Sequence, residues 1–141
     1  MAEPVVGPWP RWITASYEQE LGQPICSAEQ LYAWPAVVLC HDTSDDPVLV
    51  FVNQAAQVLW ERPWPQFVGM PSRLTAPAEE RVSRATALSA SGVVRGYAGV
   101  RVSASGRLFR IVDATVWPVV DDAGVVRGQA AAFTHAEPVG G

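Results

Sequence analysis

Two side chains in this sequence have the chemistry needed for proton transfer. Asp113 and His41 supply a carboxylate and an imidazole, which act as general acids or bases when a fold holds them beside a substrate. Asp113 interrupts an apolar stripe, where a carboxylate must find hydrogen-bond donors or raise its pKa, so it is either a structural anchor or a ligand contact. His41 lies beside an aspartate-rich turn and is either hydrogen-bonded structure or a ligand or catalyst.

Metal and cofactor chemistry finds little support in the residue spacing. Cys40, His41 and Asp42 are consecutive, so their side chains alternate along a strand and cannot all converge on one ion. Cys26 and Cys40 show no CxxC spacing, and we interpret both as reduced thiols. No glycine-rich phosphate loop precedes a helix. We therefore expect no metal site and no cofactor.

A second set of residues suits the binding of an apolar or planar small molecule. Large aromatic side chains can line a pocket, although they also fill cores, and small residues allow either close helix packing or space for a ligand. The predicted ligand-binding residues are Asn53, Trp60, Trp64, Ala98, Thr115, Trp117 and Ala130.

Length and charge restrict the classes of protein to which the chain can belong. Its 141 residues fit one domain. Ten arginines against fourteen acidic residues give a net charge of −4, which argues against a nucleic-acid partner. No apolar run is long enough to span a membrane, and the first residues do not have the pattern of a signal peptide, so we expect a cytoplasmic protein without a membrane partner.

The hydrophobic pattern predicts an α+β domain with a five-stranded antiparallel sheet. The predicted helices cover residues 11–21, 27–32, 54–60 and 77–90, and the predicted strands cover residues 37–39, 48–52, 93–102, 107–120 and 125–134. Residues 137–141 read as a frayed tail. The apolar stripe of the first helix, from Trp12 to Leu21, packs either across the outer face of the sheet or across a twofold axis with another copy.

The turn at residues 103–106 fixes the predicted strand register and thereby the faces of the sheet. In that register Gly96 lies opposite Asp113. The core face then carries Val94, Gly96, Ala98, Val100, Val102, Phe109, Ile111, Asp113, Thr115 and Trp117, and the other face carries Arg95, Tyr97, Arg101 and Arg110. The second hairpin places Gly128, Ala130 and Ala132 beside Trp117, Thr115 and Asp113. The inward position of Asp113 depends on this register.

The order and spacing of several motifs resemble the MEKHLA domain family, which is PAS-like. The matching stretches are VVLCHD at 37–42, VNQAA at 52–56, GMPSRL at 69–74, GVRVS at 99–103, RLFRIVDATVW at 107–117 and GQAAAF at 128–133. The resemblance covers about residues 17–133. It departs at Cys40, where we expect Ser, and at Pro118, where we expect Asn.

The resemblance implies a PAS-like fold, with a five-stranded antiparallel sheet, helices across one face and ligand space between them. It divides the chain into an N-terminal arm and helical extension (1–34), a PAS-like core (35–134) and a tail (135–141). PAS domains that bind haem usually use a histidine on the long helix, and residues 77–90 contain none. Flavin photosensors need a cysteine on the helix after the asparagine-containing strand, and residues 53–60 contain none.

The leading functional hypothesis is a sensory regulatory module that binds a small molecule non-covalently or interacts with a protein. We expect a homodimer and an unidentified protein partner for the output. The alternative is a small enzyme that uses the PAS cavity for acid/base chemistry, such as cyclisation, isomerisation or hydration, with Asp113 and His41 as the proton-transfer groups. That enzyme needs both residues at one enclosed space. A purely structural assembly domain is the third possibility.

Overall fold

The structure, a computed structural model, describes residues 4–78 and 92–139. The long helix predicted over residues 77–90 lies, beyond its first two residues, outside the described part of the chain. The helices are α1 (Trp9–Leu21), α2 (Gln54–Trp60) and α3 (Trp64–Phe67), with short 3-10 helices at Ala28–Gln30 and Ser72–Thr75. The strands are β1 (Val37–Asp42), β2 (Leu49–Val52), β3 (Val94–Val102), β4 (Leu108–Val120), β5 (Val126–Phe133) and β6 (His135–Pro138).

The predicted α+β, PAS-like fold is confirmed, with one strand more than expected. The antiparallel sheet has the order β2-β1-β5-β4-β3, and β6 pairs with the first half of β4. The prediction of a frayed tail from residue 137 is wrong, because Glu137 and Pro138 pair with Arg110 and Phe109. None of the helices in the described residues is long and apolar enough to cross a membrane.

Local sequence features explain where the helices of the core begin and end. Asn53 caps α2, because its side-chain oxygen accepts a hydrogen bond from the backbone N–H of Ala56 at 3.1 Å. Ser27 and Gln30 form the predicted capping box. Gly22 ends α1 in the left-handed conformation. These signals set the ends of the helices, and packing places α1 and α2 on opposite sides of the sheet.

Both faces of the sheet are buried. On the inner face, α2 and α3 cover a cluster that includes Leu49, Val52, Ala56, Trp60, Phe67, Tyr97, Phe109, Ile111, Ala114, Val116 and Phe133. On the outer face, α1 covers a cluster that includes Ile13, Val38, Cys40, Phe51, Trp117, Val119 and Ala130. The apolar stripe of α1 therefore takes the first of its two predicted positions, across the outer face of its own sheet.

The predicted register of β3 and β4 is wrong by one residue, because the loop between them is longer than expected. Ser103 pairs with Arg107, which leaves a three-residue loop ending at Gly106 in the left-handed conformation. Arg101 consequently lies opposite Phe109, and both are buried. A shift of one residue exchanges the two faces of a strand. Tyr97 and Arg101, predicted to face outward, lie inside.

A bulge then reverses the expected position of Asp113. Ile111 pairs with Gly99 and Ala114 pairs with Tyr97, so two residues of β4 oppose one residue of β3. Asp113 lies in this bulge and adopts the left-handed backbone conformation, with φ of +55°. The prediction that Asp113 faces the core is wrong, because the extra residue turns its side chain to solvent.

The observed pairing of β4 with β5 differs from the predicted pairing by two residues. An even shift leaves each side chain of β5 on the same face as its predicted neighbours on β4. Trp117 pairs with Ala130 and Thr115 pairs with Ala132. Trp117 lies on the outer face, however, because the bulge changes the alternation along β4. The small residues Gly128, Ala130 and Ala132 therefore follow the outer face, where α1 packs. Neither alternative holds for all of these small residues: a Cβ at Gly128 would clash with the main chain of His41 in β1, while Ala132 lines an open groove on this face.

Candidate functional site

A cavity of about 30 Å³ lies on the inner face, between the sheet and the helices. Strands β1, β3, β4 and β5, the end of α2 and the second 3-10 helix all contribute to it. Its lining consists of Leu39, His41, Trp60, Thr75, Tyr97, Arg101, Ile111, Val116, Gln129, Ala130, Ala131 and Phe133. The lining combines an apolar base with several polar side chains, which is the usual composition of a small-molecule site.

Trp60 forms one side of this cavity and is fixed by its neighbours. Its indole N–H donates to the main-chain oxygen of Thr75 at 3.2 Å. Its ring packs edge-on against Phe109 and Phe133, with centroid distances of 5.1 and 6.2 Å. A rotation of Trp60 would break these contacts together, so the side chain is a rigid part of the cavity.

Arg101 brings a guanidinium into the cavity lining, although it is only 4% exposed. One terminal nitrogen donates to the main-chain oxygen of Val100 at 2.9 Å, and the other donates to the hydroxyl oxygen of Tyr97 at 3.0 Å. The charge also lies over the Tyr97 ring, 5.6 Å from its centroid. A buried cation is costly unless charged or polar groups compensate it, which makes Arg101 the most informative residue of the site.

Gly99 provides the room in which Arg101 and Tyr97 meet. A Cβ at this position would lie 2.8 Å from the Arg101 guanidinium and 3.1 Å from the Tyr97 hydroxyl. The three residues share one face of β3 because their spacing is two. The predicted register puts Tyr97 and Arg101 on the outward face, so neither is among the predicted site residues. Gly106 at the end of the hairpin loop was the available signal, since three-residue loops favour glycine there.

His41 is in the cavity lining, as the hypothesis for an acid or base requires. Its Nδ1 is 2.8 Å from the main-chain oxygen of Asp42, and its Nε2 is 3.2 Å from Oε1 of Gln129. The next residue, Asp42, holds the turn after β1. Burial acts to raise the pKa of its carboxyl, but hydrogen bonds from Ser44 and Val48 outweigh burial and lower it.

Asp113 does not line the cavity that contains His41. It lies at an open groove of about 220 Å³ on the outer side, with Tyr17, Ile25, Trp34 and Thr115 among its neighbours. His41 lines the cavity on the inner side. The two proton-transfer groups of the enzymatic alternative therefore do not share an enclosed space. We take the cavity as the candidate site, because it holds a buried charged side chain, whereas the charge at the groove is exposed.

The predicted ligand-binding residues do not lie together. Trp60 and Ala130 border the cavity. Trp117 and Thr115 lie on the outer side, and Ala98 is exposed. Trp64 packs against Tyr32 and Phe51, away from the cavity.

Asn53 has a structural role that uses both ends of its amide. Its oxygen accepts from the N–H groups of Val38 and Ala56, at 3.0 and 3.1 Å. Its nitrogen donates to the main-chain oxygen of Ala36 at 2.7 Å, with longer contacts to the oxygens of Leu31 and Trp34. Asn53 thus ties β1, the preceding loop and α2 together.

Neither a metal nor a flavin fits the described residues. Within residues 4–78 and 92–139, no group of three or more His, Cys, Asp or Glu side chains could hold a metal ion. A cavity of about 30 Å³ is far below the roughly 300 Å³ at which cofactor-sized sites begin. Helix α2 carries no cysteine, and Cys40 faces the outer cluster, on the opposite side of the sheet.

Comparisons with known proteins agree with the architecture. A family model described as the MEKHLA domain matches residues 8–137. A variant of the protein Vivid superposes with a TM-score of 0.63 and 14% identity, covering 87% of this chain and 99% of that one. A fungal LOV domain photoreceptor gives 0.56 and 18%, covering 74% and 75%. The superpositions establish a shared fold, and at these identities they show the fold alone. No curated protein matches the sequence.

Proposed function

Because the chain belongs to the MEKHLA domain family, we propose that it senses a small molecule bound non-covalently in the inner cavity and reports binding through the sheet to α1. The family and the PAS/LOV fold together indicate a sensory regulatory module. The ligand, its site and the route of the output are the proposal. It leaves the protein without a catalytic role.

One observation carries the proposal: strands β4 and β5 touch the cavity with one face and the α1 cluster with the other. Val116 and Ala131 line the cavity, while their neighbours Trp117 and Ala132 pack with the outer cluster. A ligand that displaces either strand must therefore change the surface on which α1 rests. Such a ligand shifts the equilibrium between two positions of α1 by its difference in affinity for them.

Two hydrogen bonds connect α1 to β4 directly. The indole N–H of Trp117 donates to the main-chain oxygen of Ile13 at 3.2 Å, and the backbone N–H of Val120 donates to the Ser16 hydroxyl at 2.9 Å. Both are sensitive to sub-ångström movement, since hydrogen bonds weaken steeply with distance and angle. They make β4 the mechanical link between the cavity and the N-terminal helix.

The geometry supports the enzymatic and the dimer hypotheses less well than it supports a ligand sensor. The enzymatic hypothesis needs Asp113 and His41 at one space, and they lie on opposite sides of the sheet. The homodimer and the protein partner stay predictions. Since α1 covers the outer face of its own sheet, a twofold contact must use another surface.

Native mass spectrometry of freshly purified full-length protein tests the proposal. We expect an extra mass on the folded protein that disappears on denaturation. Ala131→Leu fills the cavity and should remove the bound molecule, whereas Ala98→Leu, at an exposed position of β3, should retain it. A wild-type protein with no bound molecule, or a bound molecule that survives Ala131→Leu, would contradict the proposal.

A further inference from the structure

The described arginines differ in burial and in whether a carboxylate pairs with them. Arg11, Arg73, Arg107 and Arg127 each form an ion pair with a carboxylate, and their side chains are 50–59% exposed. Arg101 is almost fully buried, and none of the described carboxylates lies within ion-pair distance of it. Among the described arginines Arg101 alone is buried, and the described chain supplies it no carboxylate.

The partners that Arg101 does have are neutral. They are the main-chain oxygen of Val100 and the hydroxyl of Tyr97. These two acceptors engage only part of the five N–H donors of a guanidinium. Neutral acceptors compensate a buried charge less well than a carboxylate does, because charge-assisted hydrogen bonds are about twice as strong.

Tyr97 provides a second donor beside the charge. Its hydroxyl oxygen accepts from Arg101, and among the described residues nothing accepts its own proton. The residue is 8% exposed and lines the cavity, so water does not surround the hydroxyl freely. A guanidinium and an O–H donor that meet over Gly99 match the two oxygens of a carboxylate.

We propose that the ligand of the inner cavity is a small carboxylate anion, bound by the Arg101 guanidinium and the Tyr97 hydroxyl. The inference rests on the proposed function and narrows its ligand class. At about 30 Å³ the cavity is far smaller than the sites of large aromatic ligands, which restricts the proposed ligand to a compact anion. The sequence predicts an apolar or planar ligand. The Arg101–Tyr97 pair instead favours a charged ligand.

A titration followed by NMR tests the inference on the whole chain. The indole N–H resonance of Trp60, assigned with Trp60→Phe, reports on the cavity because this side chain lines it. At constant ionic strength, sodium acetate should shift this resonance saturably. Acetamide, a neutral molecule of the same shape, should shift it at least about ten-fold less at equal concentration, since a hydrogen bond to a charged group contributes about that factor. Inorganic phosphate distinguishes carboxylate recognition from general anion binding.

Variants of the pair separate recognition from folding. Tyr97→Phe removes one donor and should weaken acetate binding by about ten-fold. Gly99→Ala should weaken it as well, because the added methyl group displaces the Arg101–Tyr97 contact. Arg101→Met keeps the length of the side chain and should abolish the shift. Arg110→Met, an exposed position on β4, is the matched control and should bind acetate as the wild type does.

The outcomes distinguish the inference from the function on which it rests. An absent acetate shift, an equal shift with acetamide, a shift with phosphate alone, or an acetate shift that survives Arg101→Met overturns the carboxylate inference. The proposed function survives each of these results if native mass spectrometry still finds a bound molecule that Ala131→Leu removes. It falls with the inference if no bound molecule is found.

Discussion

The indole N–H of Trp117 donates to the main-chain oxygen of Ile13 across 3.2 Å, and both side chains are completely buried. The ring also meets Tyr17 edge-on at 4.8 Å. These contacts place Trp117 on the side of the sheet that faces α1, opposite the cavity. The largest side chain of β4 therefore holds the N-terminal helix, and Trp60 is the tryptophan that belongs to the cavity.

Replacing Trp117 by Phe should loosen α1 more than any equivalent change on the inner face. The variant removes the indole donor to the Ile13 oxygen and leaves unfilled volume, and we expect a loss of about 2 kcal/mol in urea denaturation. Amide hydrogen exchange in α1 should accelerate. Trp60→Phe is the control, because it removes an indole of the same size from the other face. Equal acceleration of α1 in both variants would show that the sheet does not separate the two clusters.

The bulge at Asp113 predicts an unusual order of substitutions. A β-branched residue is strongly strained at φ of +55°, so Asp113→Val should cost about 1–3 kcal/mol. Asp113→Gly should be close to neutral, because glycine adopts this conformation freely. Urea denaturation of both variants measures the difference. If Asp113 lay in a regular strand, valine would be better tolerated than glycine, and that order would contradict the structure.

Asn53 should be among the most costly positions to truncate. Asn53→Ala removes a helix cap and leaves several buried backbone groups without partners, so we expect a loss of about 3–5 kcal/mol. Gln30→Ala, which removes an exposed capping interaction, should cost about 1 kcal/mol or less. Thermal and urea denaturation compare the two. A small effect at Asn53 would contradict the structural role assigned to its amide.

Cys40 should make the stability of the protein fall at alkaline pH. Burial raises the pKa of its thiol, since desolvation penalises the thiolate. The unfolded chain ionises from about pH 8.5 upward while the folded chain stays protonated, so stability is fully present below that pH and declines above it by about 1.4 kcal/mol per pH unit. Cys40→Ala should lack this decline while Cys26 remains in both proteins. If the stability of wild type and Cys40→Ala changed in parallel from pH 8 to 10, the contribution of Cys40 would be refuted.

Much of the fold could be predicted from the sequence because its signals are local. Asn53 before an apolar helix, the Ser27–Gln30 capping box and the two hairpin turns each fix a few neighbouring residues. The family motifs added the expectation of a PAS-like sheet with helices across one face. The tail was read as frayed, because the pairing of β6 with β4 is not visible in four residues that carry no alternating pattern.

The site was harder to predict because it depends on register. One additional loop residue between Ser103 and Arg107 exchanged the two faces of β3, and the bulge at Asp113 exchanged them again along β4. No local sequence signature marks such a bulge at an aspartate. Arg101 was consequently assigned to solvent and Asp113 to the core, the reverse of what the structure shows.

Hydrogen exchange of α1, measured with and without the molecule that fills the cavity, tests the central claim most directly. The comparison uses wild-type protein as purified and the same protein after its bound molecule has been removed by unfolding, dialysis and refolding. The account predicts that amides of residues 9–21 exchange measurably faster in the emptied protein, although the cavity lies on the opposite face of the sheet. Identical exchange in α1, with changes confined to the residues around the cavity, would contradict it.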